Sequence, residues 1–363
     1  MTLIDQAGAV RSGEELDVAK IAAFLESVDG SLQGTPAVSQ FPGGASNLTY
    51  LLTYRLTYRP SGAERELILR RPPFGAKARS AHDMLREANI MAELKPVYPY
   101  VPKVFATCQD RAVMDSDFYV MERLRGIILR DKLPPGLVLS EADTRQLCLN
   151  MIDKMIALHQ VDYQAAGLAH LGKGEGYVQR QISGWSERYR KARTDDAVDF
   201  ETVMRWLEDK MPAADVATCL IHNDFRFDNV VLDPDNPLRV IGVLDWEMAT
   251  LGDPLMDLGN TLAYWVQADD EPQFKQMRRQ PTHLPGMLTR KEVIAYYGEK
   301  TGYRTDHFDF YEIYGLFRLA VIVQQIYYRF HHGQTKNPQF AFFVHVTNYL
   351  EQRCKNLIAQ SSI

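Results

Sequence analysis

Residues 221–229 read Ile-His-Asn-Asp-Phe-Arg-Phe-Asp-Asn and run directly into the apolar Val230-Val231-Leu232. No other stretch restricts the fold as tightly. The turn Asp-Pro-Asp-Asn-Pro (233–237) and a second apolar run, Leu-Arg-Val-Ile-Gly-Val-Leu-Asp-Trp-Glu (238–247), follow at once. Two apolar runs around a turn of Asp, Asn and Pro predict a β-hairpin. In a hairpin the start of the first strand lies beside the end of the second. The pattern therefore predicts that Asn229 and Asp245 converge, with Asp224 facing the same point from the preceding loop.

Two carboxylates and an amide at one point suit Mg²⁺, a hard cation that takes oxygen ligands and keeps several waters. Asp245 is the principal candidate ligand and Asn229 the second. Asp224 is placed to accept a proton from an attacking hydroxyl. A histidine two residues before an aspartate is ordinarily a structural turn. His222, Asp224 and Asn229 at fixed spacing, with Asp245 after the hairpin, make a set that chance turns do not produce.

Composition narrows the setting. The 363 residues are enough for two lobes with a substantial core. A formal net charge of −5 runs against a nucleic-acid binder, which would carry a basic excess. The N-terminal twenty residues lack the basic-then-apolar pattern of a secretory leader, and no apolar run reaches the ~18 residues of a membrane span. Cys108, Cys148, Cys219 and Cys354 are scattered, so a reduced cytoplasmic protein without a structural zinc is expected.

Along the chain, the first 15 or so residues read as loosely ordered. Val18, Ile21, Phe24, Leu25 and Val28 then fall at helical spacing. Strand-like runs follow from residue 37 to 71, with Gly62 in a turn and Pro72-Pro73 ending the last of them. A helix over 80–94 with Leu85, Ala88 and Met91 on one face, and strands near 101–110 and 117–124, complete a small sheet lobe. Beyond Gly126 the pattern is mainly helical, except for the β-rich piece near 220–246. The expected fold class is α+β in two lobes: an N-terminal lobe over 1–124, a hinge near 121–126, and a helical lobe over 127–363. A cleft between lobes is a usual place for a ligand.

The His-x-Asp-x-x-x-x-Asn element followed by a hairpin aspartate is what phosphotransferases of the protein-kinase-like fold carry. Such a fold also needs a loop over the phosphates, a cation on a neighbouring strand and an acid on the helix. Pro42-Gly43-Gly44-Ala45-Ser46-Asn47 fits the loop, its glycines permitting close backbone approach. Arg70 fits the cation and Glu87 the acid. Arginine stands where such kinases usually have lysine; it offers a bidentate fork but is bulkier. Backbone groups of Glu122 and Leu124 in the hinge are the expected adenine contacts, from position alone.

These motifs resemble the aminoglycoside phosphotransferase family. Residues 221–231, 240–259 and 67–75 resemble in particular the kinase-like domains associated with acyl-CoA dehydrogenases. The resemblance covers about residues 35–335 and implies ATP and Mg²⁺ as cofactors. It implies Asp224 as catalytic base, Asn229 and Asp245 as metal ligands, and Arg70 on the ATP phosphates. Asp257 in Gly-Asp-Pro-Leu-Met-Asp-Leu-Gly would brace the catalytic loop, with His222 in support. The family usually has glycine where this chain has Asn223, and asparagine tolerates a left-handed backbone better than most residues.

The expected partners are a nucleotide and a small-molecule hydroxyl acceptor, with no nucleic acid and no membrane. Residues 266–363 carry twelve Lys and Arg against nine Asp and Glu, which fits an anionic, partly apolar acceptor such as a hydroxyacyl-CoA better than a polycationic aminoglycoside. Residues 318–330 read as a core helix. The alternatives are an aminoglycoside O-phosphotransferase and a nucleotide-binding pseudokinase. A protein kinase ranks last, because the chain after Asp245 passes into a helix without an activation segment.

Overall fold

Strand alternation lays out the N-terminal sheet. The computed structural model describes residues 3–42, 47–55, 64–74 and 83–363; Gly43, Gly44, Ser46 and the expected turn at Gly62 lie outside them. Strands β1 (Ala37–Gln40), β2 (Leu48–Arg55), β3 (Glu64–Arg71), β4 (Val104–Cys108) and β5 (Phe118–Glu122) form one antiparallel sheet in the order β1-β2-β3-β5-β4. Leu48, Tyr50, Leu52 and Tyr54 of β2 share a buried face with Leu67, Leu69, Phe118 and Val120. Helix α1 (Val18–Val28) closes that face with Ile21 and Leu25. The intervening residues Ile68, Arg70, Tyr119 and Met121 point to the opposite face, as a two-residue period requires.

Helix α2 (Met84–Leu94) starts at Asp83, whose side chain accepts the Arg86 N–H. It buries Met84, Ala88, Ile90, Met91 and Leu94 together with Glu87, whereas Leu85 stays partly exposed. The N-terminal residues are pinned, contrary to the loose segment expected. Gly8 and Gln40 exchange both backbone hydrogen bonds, at 2.8 and 2.9 Å, and the Tyr50 hydroxyl donates to the Glu14 carbonyl.

Contacts divide the chain into two compact units, one comprising residues 1–128 with Val230–Glu247 and the other Leu129–Asn229 with Met248–Ile363. The hairpin thus packs with the N-terminal unit, where sequence reasoning had grouped it with the helices. Three contacts explain this. Strand β8 (Val230–Leu232) pairs with β6 (Ile127–Ile128) as well as with β9 (Val240–Val243). The Val243 N–H donates to the Tyr100 carbonyl at 2.7 Å. Gly242 leaves room for Leu124, since a Cβ there would come within 2.2 Å of Leu124 Cδ1.

The second unit holds α3 (Glu141–His159), α4 (Tyr177–Ala192), α5 (Glu201–Asp209), α6 (Pro254–Leu262), α7 (Pro272–Gln276), α8 (Arg290–Thr301), α9 (Asp309–His331) and α10 (Phe343–Gln360). A short ladder joins β7 (Cys219–Ile221) to β10 (Thr250–Gly252). Helix α9, which covers the run expected to be core, buries Phe317, Leu319, Ala320 and Val321. It crosses α6 at two glycines. A Cβ on Gly259 would lie 2.3 Å from the Tyr311 carbonyl oxygen, and one on Gly315 would lie 2.1 Å from the Gly259 oxygen. Only backbone without side chains fits there, and the crossing fixes the helix that bears Asp257.

Candidate active site

In the N-terminal unit the polar centre is Arg70, on the face of β3 opposite the α1 core. Its guanidinium donates through Nη1 to Glu87 Oε1 at 2.8 Å and through Nη2 to Asp245 Oδ1 at 3.1 Å. Glu87 is 1% exposed and Arg70 8%. Burying ions this deeply costs several kcal/mol unless they are paired, and here one arginine serves two carboxylates. Burial works against the Arg70 cation, but Glu87 above all, with Tyr119 and Asp245 after it, holds it protonated well above its ordinary range. Burial pushes the Glu87 carboxyl up, against the pull of Arg70. Glu87 Oε1 also accepts the Trp246 N–H at 3.1 Å, tying α2 to the residue after Asp245.

Asp245 adopts a left-handed backbone with φ 69°, and its side chain remains one-third exposed. A non-glycine residue there is strained, and such strain gathers where a side chain must be aimed. The group carries one formal positive and two formal negative charges, an excess that suits an added cation. Asn47, expected in the phosphate loop, is 1% exposed, and its amide donates to Glu247 Oε2 at 2.7 Å. In the hinge the Glu122 N–H already donates to the Lys103 carbonyl, and its carboxylate takes Lys95 and the Lys103 N–H. The Leu124 side chain packs at Gly242.

In the second unit the loop 222–229 is held mainly through its backbone. Asp257, buried in α6, accepts the His222 N–H on Oδ2 at 2.9 Å and the Asn223 N–H on Oδ1 at 2.7 Å. Its Oδ2 also meets His159 Nε2 at 3.1 Å, and His159 Nδ1 meets the Tyr297 hydroxyl at 2.7 Å. Burial works against ionised Asp257, but the hydrogen bond and charge of His159 prevail and hold its carboxyl below the usual aspartate range. His222 Nδ1 accepts the Asp224 N–H at 3.2 Å, so its remaining proton sits on Nε2.

Asn223 has φ 66°, the left-handed conformation. Its side chain makes three hydrogen bonds: Oδ1 accepts from Asn260 Nδ2 at 3.0 Å and the Tyr177 hydroxyl at 3.3 Å, and Nδ2 donates to the Met248 carbonyl at 3.1 Å. Arg318, 4% exposed, donates to the Asn223 carbonyl at 3.1 Å.

This scaffold presents Asp224. Its Oδ2 accepts from Asn229 Nδ2 at 2.9 Å and from Arg226 Nη2 at 3.1 Å, and both bonds fall on that one oxygen. Asn229 Nδ2 also donates to the Asp224 carbonyl at 2.9 Å, so both of its bonds to Asp224 use the amide nitrogen and neither uses the amide oxygen. Arg226 forms a second ion pair with Asp228 at 3.2 Å and lies 4.4 Å over the Tyr264 ring. Gln280, fully buried, accepts the Phe227 N–H at 2.7 Å.

Sequence reasoning missed His159, Tyr177, Arg226, Asn260, Gln280 and Arg318. Arg226 had a local signal, a cation between Asp224 and Asp228. Asn260 follows directly on the stretch that carries Asp257, and the others come from separate helices and loops, where nothing nearby marks them.

Residues 37–292 match the model of the phosphotransferase enzyme family. Acyl-CoA dehydrogenase family member 10 of Mus musculus is 35% identical over 306 residues, covering 84% of this chain and 27% of that protein. Acyl-CoA dehydrogenase family member 11 of Homo sapiens is 30% identical over 322 residues, covering 88% of this chain and 40% of that protein. The chain thus spans well under half the length of these relatives. Among solved structures, a proposed aminoglycoside phosphotransferase from Ralstonia eutropha JMP134 superposes with a TM-score of 0.79 at 29% identity, covering 96% of this chain and all of that one. Choline kinase from Cryptosporidium parvum shares the fold, with a TM-score of 0.61 at 12% identity, covering 95% of this chain and 97% of that one. The expected kinase-like α+β fold is therefore present. Among the described residues, no helix is long and apolar enough to cross a membrane.

Proposed function

We propose, because this chain belongs to the phosphotransferase enzyme family, that it transfers the γ-phosphoryl group of ATP to a hydroxyl of a small molecule. The proposed acceptor is a hydroxyacyl-CoA or a related hydroxy acid. The observation that carries the reaction is the setting of Asp224: one carboxylate oxygen is fixed by Asn229 and Arg226 and the other is left for a proton. Asp224 Oδ1 accepts the acceptor's proton as its oxygen attacks phosphorus. Arg226 and Asn229 keep that carboxylate from rotating, and Asp257 keeps the backbone beneath it from shifting.

Asn229, through its amide oxygen, and Asp245 are the proposed magnesium ligands, and their oxygen donors fit that ion. Magnesium, when bound, neutralises phosphate charge and orients the transferred group. Arg70, kept cationic by Glu87, is the proposed phosphate contact, and the hinge at Glu122 and Leu124 the adenine contact. Gly43, Gly44 and Ser46 remain the proposed phosphate loop, with Asn47 anchoring its end through Glu247. The lean towards an acyl-CoA acceptor is supported by similarity to proteins named as acyl-CoA dehydrogenase family members.

The test is ADP release from MgATP with a 4-hydroxyacyl-CoA and, separately, an aminoglycoside. Turnover is expected on the acyl-CoA, and Asp224→Asn should reduce it by roughly 10²–10⁴ while MgATP still binds. Undiminished turnover in that variant would refute the base. Turnover on the aminoglycoside alone would refute the acceptor class. MgATP binding without transfer to either would favour the pseudokinase.

A further inference from the structure

The segment Met277–Leu284 packs against the loop that carries Asp224. Gln280 is its anchor: fully buried, it accepts the Phe227 N–H at 2.7 Å and donates to the Tyr264 carbonyl at 3.2 Å. Thr282 adds a bond to the Val266 carbonyl at 2.8 Å. The three residues that flank these anchors and carry ring or guanidinium nitrogens are Arg278, Arg279 and His283. Their position relative to the loop is set by backbone and buried amide, not by a flexible side chain.

Five of the other cations of residues 266–363 are already committed. Arg290 and Arg353 pair with Asp270, Arg304 with Asp306 and Lys355 with Glu351, and Arg318 is buried beneath Asn223. Arg278 and Arg279 differ. Arg279 is exposed, and its charge reaches Asp228, the neighbour of Arg226. Arg278 Nε and His283 Nδ1 are buried nitrogens without a hydrogen-bond partner among the described residues. Burying a polar group unmatched is costly, and a ligand that pairs with it removes the cost. Besides Asp228, the charge of Asp131 acts on this group, at His283.

We infer that Arg278, Arg279 and His283 form the subsite for the anionic group of the acceptor, a phosphate or carboxylate. Guanidinium forks match both anions in bidentate geometry. The inference deepens the proposed function and rests on it for the identity of the catalytic loop. The anchoring by Gln280 would hold the acceptor's anion at a constant distance from Asp224, so that its hydroxyl is presented by geometry rather than by search.

The test is calorimetric binding to the full chain with the nucleotide site saturated by a non-hydrolysable MgATP analogue, so the readout does not depend on turnover. The probes are CoA, a free 4-hydroxy acid and pantetheine, which lacks the phosphates. CoA should bind in a salt-sensitive way, and Arg278→Gln with Arg279→Gln should weaken it at least tenfold. Pantetheine binding and MgATP affinity should not change. Binding of CoA identifies phosphate as the anion; binding of the free hydroxy acid in place of CoA, lost in the same variant, identifies carboxylate. If neither probe binds, or the variant binds them as the wild type does, the subsite is refuted. Arg279→Gln alone, at an exposed position, carries the test if the double variant fails to fold. Failure of the catalytic reading appears separately, as undiminished ADP release in Asp224→Asn.

Discussion

Asn223 offers a sharp test of how the catalytic loop is held. It adopts the left-handed conformation at φ 66°, at a position where the resembling family usually has glycine. Backbone preference alone makes Asn223→Gly stabilising: relief of left-handed strain contributes up to about 1 kcal/mol. The side-chain network argues the other way. Removing it strips an acceptor from Asn260 Nδ2 and from the Tyr177 hydroxyl, and a donor from the Met248 carbonyl. Asn260 is 2% exposed and Tyr177 6%, so these groups are poorly placed to turn to bulk water. Each strong bond lost to a buried partner costs about 1–3 kcal/mol, and the 3.3 Å bond from Tyr177 contributes least. Water entering the vacated space would recover part of this, while glycine adds about 0.5–1 kcal/mol of unfolded-state entropy. The net expectation for Asn223→Gly is a loss of about 2–4 kcal/mol, or roughly 3–5 °C in Tm for a chain of this length. Asn223→Ala should fall further, by about 1 kcal/mol, because it loses the same bonds and keeps a Cβ in the left-handed region. Thermal unfolding at neutral pH of the wild type and both variants gives the order directly. The backbone N–H and carbonyl of residue 223 remain tied to Asp257 and Arg318, so kcat/KM should fall less than tenfold in Asn223→Gly. A glycine variant as stable as the wild type would refute the argument that the network outweighs the strain.

Two further outcomes follow from the same framework. Asp257 has its carboxyl depressed, so the stability it contributes is present above the ordinary aspartate pKa and is lost as pH falls through the lower folded value. Tm should fall below about pH 4; Asp257→Asn should cost about 2–4 kcal/mol at neutral pH and flatten that acid loss, and an unchanged acid limb in the variant would refute the linkage. Gly259→Ala should cost about 1–3 kcal/mol or more, because its Cβ would meet the Tyr311 carbonyl oxygen at 2.3 Å and force α6 away from α9. Since α6 bears Asp257, kcat should drop with it; full stability and activity in that variant would show that the crossing is looser than the structure has it.

The parts legible in the sequence are those written by near neighbours. The strand-like runs between residues 37 and 71 gave β1, β2 and β3 of the sheet, with Arg70 on the last of them. The Asp-Pro-Asp-Asn-Pro turn gave the hairpin, whose rungs run from Val230–Val243 to Leu232–Val240. Asn223 in the left-handed region followed from the conformational tolerance of its side chain. The N-terminal segment was misread because its order comes from pairing with Gln40 and Tyr50, more than thirty residues away. The charge count after residue 266 was similarly blunt: it cannot distinguish Arg290, spent on Asp270, from Arg279, which is exposed.

By itself, then, the sequence determined the local shape that bears the candidate site residues, because a two-residue strand period, a turn and a fixed motif spacing all act within a few residues. Tertiary structure decided what holds those residues in place. Asp257 reaches the loop from α6, His159 from the end of α3, Gln280 from a later turn and Arg318 from α9, and the hairpin joins the N-terminal unit through β6, Tyr100 and Leu124. Buried polar groups must find partners wherever packing brings them, and packing is a property of the whole fold that no local stretch encodes.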